Sequence, residues 1–122
     1  MATDFRSGRD FPRPGRQEAN GYMWLFRVFD KARAAADGTI YDYIYPCPMD
    51  KGVLERWGVP VAEFDAAAAR YRRDEEILAW LESRVDAAHR DAANDWLLAE
   101  KIANLDRQDS EENVNAQQAL GL

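Results

Sequence analysis

The sequence predicts a mainly α-helical fold: a small helical domain with one short extended Tyr-rich segment and a long C-terminal helix. Three observations lead there. Apolar residues recur at helical spacing through most of the chain. One run, Thr39 to Tyr45, is instead almost wholly β-branched or aromatic. No glycine or proline interrupts Asp74 to Leu105. At 122 residues the chain suits a single domain, and a chain of this size buries roughly two thirds of its unfolded surface without disulfide or metal support. The expected organisation is an irregular arm over 1–20, one helical domain over 21–105 and an acidic, disordered tail over 106–122.

The arm mixes Pro12, Pro14 and Gly15 with Arg6, Arg9, Arg13 and Arg16. Prolines so close together exclude a helix there. The first helix is expected from a cap at Asn20 to a stop at Gly38. Tyr22, Leu25, Phe26, Phe29, Ala32 and Ala36 make one continuous face, and Trp24 and Val28 widen it. A helix apolar over so much of its girth is central to the fold. Its charges, Arg27, Asp30, Lys31 and Arg33, cluster within two turns. The plain reading is a solvated strip of local ion pairs. The other is a partly buried cationic site organised by Asp30, whose excess charge an anion would match.

In TIYDYIYPCP, Tyr41, Tyr43 and Tyr45 alternate with Ile40, Asp42 and Ile44 until Pro46 and Pro48 stop the run. That is a strand signature, with Gly58–Val61 or a second copy of the segment as its pairing partner. A short helix follows from Pro48 to Gly58, weakened by Gly52 by up to ~1 kcal/mol relative to alanine. A third helix runs from Pro60 to about Arg73, with Val61, Phe64, Ala68 and Tyr71 on one face. Beyond it, Ile77, Leu81, Val85, Ala88, Ala92, Trp96, Ala99 and Ala103 follow an 11-residue repeat. As one helix, Asp74–Leu105 would measure ~48 Å, longer than so small a domain. It therefore either breaks near His89–Asp91 or projects its distal half. The projecting version is favoured, with Trp96, Leu97, Leu98 and Leu105 buried in a homodimer or against a partner chain.

Two motifs carry a resemblance. Gly21, Tyr22, Trp24, Leu25, Arg27, Asp30, Lys31, Ala32 and Arg33 form one; Tyr43, Tyr45, Cys47, Pro48 and Asp50 form the other. With the later DEEILAWL they resemble the small bacterial family of unknown function DUF5069, over about residues 10–85. The resemblance implies a small helical domain and brings no activity, substrate or cofactor. Members of that family break after the Ala-Trp-Leu helix, whereas this chain continues without glycine.

Charge and composition narrow the function. Net charge is −6, split as +2 up to Arg73 and −8 from Asp74 onward. An acidic half repels phosphate backbones, so nucleic acid is not an expected partner. No run approaches the ~18 apolar residues of a membrane span, and MATDFRSGRD lacks a signal-peptide core. A single cysteine supports neither an internal disulfide nor a cysteine zinc site, which fits a reducing, cytoplasmic setting. Glu82, Asp86 and His89 share a helix face, but one histidine cannot complete a di-metal bundle site; no metal or cofactor is expected. Phosphate loops, serine elbows and dinucleotide fingerprints are absent from the sequence.

What remains is Cys47, between two prolines at a helix start. A nucleophilic cysteine needs a helix N-terminus, a cation or a histidine base; Lys51, Lys31 and Arg27 are the nearby cations. The structural alternative is a small side chain in a Pro-x-Pro turn with Asp50 capping the helix. Three functions follow. The favoured one is a binding or accessory protein holding a small anionic ligand or a partner chain with Trp24, Arg27, Lys31, Arg33, Tyr41, Tyr43 and Tyr45. The second is a small enzyme with Cys47, Asp50, Asp30 or Tyr43 as catalytic groups. The third is a structural subunit of a larger complex.

Overall fold

The computed structural model describes residues 12–15, 17–40 and 43–100, with only the backbone of Glu100. Among the described residues the elements are five helices: α1 (Leu25–Asp37), α2 (Pro48–Trp57), α3 (Val61–Arg70), α4 (Asp74–Arg84) and α5 (Ala87–Glu100). The mainly α expectation holds.

The chain enters α1 through a turn that sequence reading assigned differently. Asn20 does not cap the helix. It and Gly21 both have positive φ, 49° and 87°, and Ala19 and Tyr22 exchange backbone hydrogen bonds of 3.1 and 3.0 Å. That is the geometry of a two-residue Asn-Gly hairpin turn, which needs positive φ at both central positions. Helix α1 then starts at Leu25, after Trp24 in a left-handed conformation (φ 74°) with no side-chain cap. Gly38 and Gly58 end α1 and α2 as expected.

The α1 face lies at the centre of the core. Trp24, Leu25, Val28 and Phe29 are fully buried with Val53, Leu54 and Trp57 of α2, Phe64 of α3, and Ile77 and Leu81 of α4. Each such side chain contributes roughly 1.5–3 kcal/mol by leaving water.

Among the described residues the tyrosine segment forms no strand. No β ladder forms among the described residues; the single bridge is Ala19–Tyr22. Tyr41 and Asp42 lie outside the described residues. Tyr43 to Cys47 form an irregular turn with a cis Tyr45–Pro46 peptide. Pro46 and Pro48 offer no N–H to a ladder, and the N–H of Cys47 is taken by the Asp50 carboxylate. Gly58–Val61 is no partner either, because the Val59 N–H donates to Leu54 O at 2.9 Å.

The long C-terminal helix is two helices. Val85 is extended (φ −121°, ψ 124°), and its carbonyl accepts the Tyr22 hydroxyl at 3.0 Å. Asp86 restarts the helix: its Oδ1 accepts the His89 N–H at 2.9 Å. That bond holds the Asp86 carboxyl below its usual range. Helix α5 folds back onto α2. Ala93 and Leu97 are fully buried, Arg56 stacks 4.1 Å over the Trp96 ring, and Asn94 Nδ2 donates to Gly21 O at 2.6 Å. Of the residues expected to meet another chain, Leu97 is fully buried and Trp96 partly buried within this one, Leu98 is exposed, and Leu105 lies outside the described residues. The stretch 106–122 lies outside the described residues.

Gly52 makes this fold-back possible. A Cβ there would overlap the Trp96 ring, so the residue that weakens α2 locally is required by packing. Gly52→Ala is expected to lower stability by about 1–3 kcal/mol despite alanine's better helix propensity. Urea denaturation followed by circular dichroism checks this; a more stable variant would show that α5 does not dock there.

Candidate functional site

The charged residues of α1 do not form a solvated strip. Arg27, Asp30, Lys31 and Arg33 are at most 5% exposed, and they divide between two ionic clusters.

The first cluster centres on Asp50, which is fully buried in the first turn of α2. A buried carboxylate must be paired and hydrogen-bonded to persist as an anion. Nζ of Lys31, a residue 3% exposed, meets Oδ2 at 2.7 Å. Trp24 Nε1 donates to Oδ1 at 2.7 Å, and Cys47 N donates to Oδ2 at 3.0 Å. In return, Asp50 N donates to Cys47 Sγ at 3.5 Å, completing a capping box with Pro48 next to the cap. Lys31 Nζ also lies 3.4 Å from that sulfur. Cys47 is partly exposed and packs against the core, with its sulfur against a buried lysine and a helix N-terminus. The left-handed backbone at Trp24, of order 1–3 kcal/mol unfavourable for a non-glycine residue, accompanies the aim of the indole N–H at Asp50.

The second cluster ties down the arm. Asp30 Oδ1 accepts Arg33 Nη2 at 2.7 Å and Arg13 Nη2 at 2.8 Å. Its Oδ2 takes the backbone N–H and Nε of Arg13 at 2.8 and 3.0 Å. Arg13 also grips Asp74 at the start of α4 through bonds of 2.7 and 2.9 Å, and stacks 4.1 Å over Phe26. Arg33 lies 4.0 Å over Phe29 and donates to Arg72 O at 2.8 Å. Burial pulls the Arg33 guanidinium below its ordinary range against the opposing field of Asp30. For Arg13, burial acts in the same direction, but hydrogen bonds to Asp74 and Asp30 outweigh it and raise the value. Arg27 spans the clusters, 5.7 Å from the Trp24 ring and 3.5 Å from Arg13 O.

The structure therefore brings Trp24, Lys31, Cys47 and Asp50 together, and places Asp30 and Arg33 in the other cluster. Tyr43 is partly exposed. Tyr45 turns away to α3, donating to Asp65 Oδ1 at 2.6 Å; burial first, then that carboxylate, raises its pKa. Tyr41 lies outside the described residues. Among the described residues no three His, Cys, Asp or Glu side chains converge as metal ligands. Sequence reading missed Arg13, Asp74 and Asn94, whose partners are 17 to 73 residues away. The Asn-Gly pair at 20–21 was the one local signal available.

Residues 9–120 match the family described as domain of unknown function DUF5069. The match runs past the 10–85 span of the two motifs and includes α5. Most of the C-terminal third therefore lies within the family match. No curated protein matches the chain.

The Arg13 hydrogen bond holds the Asp74 carboxyl below its ordinary value. A depressed folded pKa contributes stability that is present above the unfolded value, about 3.9, and lost as pH falls through the folded one. Arg13→Met is expected to cost roughly 1–3 kcal/mol near neutral pH, between the exposed and buried limits for ion pairs. Because that loss shrinks in acid, the stability difference from the unmodified chain should narrow below about pH 4. Denaturant titrations at neutral and acid pH check this; a difference independent of pH would sink it.

Proposed function

The chain belongs to the DUF5069 family, described only as a domain of unknown function, and from the geometry of its first cluster we propose that it carries thiol chemistry at Cys47. One observation carries this reading: the ammonium of Lys31, 3% exposed, lies 3.4 Å from the sulfur of a partly exposed cysteine. Cations and helix N-termini favour the thiolate, which is the reactive form.

The cap chemistry supports it. Ser, Asp, Asn and Thr are the strong N-caps, while sulfur is a weak acceptor. The remaining elements of this capping box are sound, with Pro48 next to the cap and a buried Asp50 at the third position. Cysteine is thus the residue that capping alone would not select. Backbone strain at Trp24 supports it too, since such strain concentrates at functional sites.

In this reading Cys47 is the nucleophile and Lys31 holds negative charge on its sulfur. Asp50 fixes Lys31, and Trp24 fixes Asp50. The thiolate forms a bond to an electrophilic carbon or sulfur, and the leaving group departs with its electron pair. The thiol proton passes to water. Iodoacetamide alkylation tests this. Native Cys47 is expected to react severalfold faster at neutral pH than the same residue in denatured chain, and Lys31→Met should remove the advantage. A native rate no greater than the denatured rate would end the proposal.

The anionic-ligand version of a binding role draws no support from α1, because Asp50, Asp30 and Asp74 already match Lys31, Arg33 and Arg13. Docking of a partner chain is favoured by one feature: Ile44, beside Tyr43, is 69% exposed. For a second copy as the partner, light scattering at rising concentration should show association that Ile44→Ser weakens; a monomer throughout would exclude self-docking.

A further inference from the structure

Asn20 and Gly21 form the tip of the turn that leads into α1. Of the five asparagines in the sequence, Asn20 alone precedes a glycine; the others are followed by Asp95, Leu105, Val114 and Ala116. That neighbour matters because asparagine is chemically labile. The main-chain nitrogen of the next residue can attack the carboxamide carbon, and glycine, having no Cβ, leaves that nitrogen least shielded.

The turn presents these atoms freely. Asn20 is exposed, and among the described residues neither its side chain nor the Gly21 N–H has a hydrogen-bond partner. By contrast, the carboxamide of Asn94 is held at both ends, by the Met23 N–H at 3.2 Å and by Gly21 O at 2.6 Å. The Arg90 guanidinium lies against Gly21, its Nε 3.8 Å from the point a Cβ there would occupy. A fixed cation so close favours loss of the Gly21 amide proton and the negative charge that develops during attack.

We infer that Asn20 is a site of spontaneous conversion to isoaspartate, and that the conversion loosens α5. The Gly21 nitrogen gives up its proton and attacks Asn20 Cγ. The N–Cγ bond forms, the Cγ–Nδ2 bond breaks, and Nδ2 leaves as ammonia after taking up that proton. Water then opens the five-membered imide. Opening at the Asn20 main-chain carbonyl leaves the chain running through Cβ and Cγ, with one more backbone atom and a new carboxylate. Opening at Cγ gives aspartate in the ordinary linkage. A two-residue turn cannot take an extra backbone atom and keep the Ala19–Tyr22 pair. Gly21 O moves with it, so Asn94 of α5 loses the acceptor it holds at 2.6 Å.

The test ages the full chain in mildly alkaline buffer at physiological temperature. Peptide mass spectrometry reads amide-to-acid conversion at each asparagine, enzymatic methylation reads isoaspartate, and hydrogen exchange reads the looseness of α5. Conversion at residue 20 is expected to run severalfold faster than at any other asparagine, to give isoaspartate in excess of aspartate, and to speed amide exchange in α5 while α1 stays protected. Asn20→Gly, which keeps a turn-compatible residue but no carboxamide, should age without either change. Asn20→Asp, which adds the charge without the extra atom, should exchange like the fresh chain. Conversion at residue 20 no faster than elsewhere, or to aspartate alone, overturns the site. Unchanged α5 exchange in the isoaspartate form, or equal loosening in fresh Asn20→Asp, overturns the link to α5.

Discussion

A carboxylate held wholly out of water has to be met by donors on every side, and Asp50 imposes that requirement on this fold. Its burial calls a lysine from α1, an indole N–H from the residue before α1 and a backbone N–H from Cys47 to one point. An unpaired ion in such a place costs several kcal/mol, so these groups are not independent choices. Once Asp50 is at the third position of α2, the register of α2 against α1 is set by Lys31. The turn at Cys47 is set by the capping box. The unfavourable backbone of Trp24 accompanies an indole N–H aimed at Asp50.

Helix α1 can be central because it satisfies charge at both ends of its polar arc. Lys31 faces α2, while Asp30 and Arg33 face the arm and α4. The arm is accordingly part of the fold: Pro12 and Gly15 are buried, and Gly15 O accepts the Trp24 N–H at 2.8 Å. The opposite flank is closed by α5, held to the Asn20–Gly21 turn by Asn94 and to Gly52 by Trp96. The Lys31–Asp50, Arg13–Asp74, Asn94–Gly21 and Trp96–Gly52 contacts join segments distant in sequence, and each places a polar or aromatic group where a generic apolar residue would not serve.

That distinction explains what could be read in advance. The 3.6-residue periodicity exposed α1 and α2, and Gly38 and Gly58 marked their ends, because these are local consequences of backbone and side-chain type. Cys47 and Lys31 were legible as candidates because a helix start between prolines is also local. Three failures have physical causes. Tyr43 and Tyr45 have strand-forming side chains, but Pro46 and Pro48 remove the donors that a ladder needs, and the Asp65 and Asp50 contacts dominate. The break at Val85–Asp86 carries neither glycine nor proline; an aspartate cap and the Tyr22 hydroxyl produce it. The Asp30 cluster was misjudged as one site with Lys31, since helix spacing alone does not reveal which neighbour each side chain meets.

The claim that the buried Lys31–Asp50 pair organises the site is most directly tested by a double-mutant cycle with Lys31→Met and Asp50→Leu, read as unfolding free energy in urea. Removing either partner alone leaves an uncompensated buried charge and is predicted to cost about 3–5 kcal/mol, whereas removing both should recover a large share of that loss. Single losses that simply add in the double variant would show two groups that do not interact, and would contradict the account.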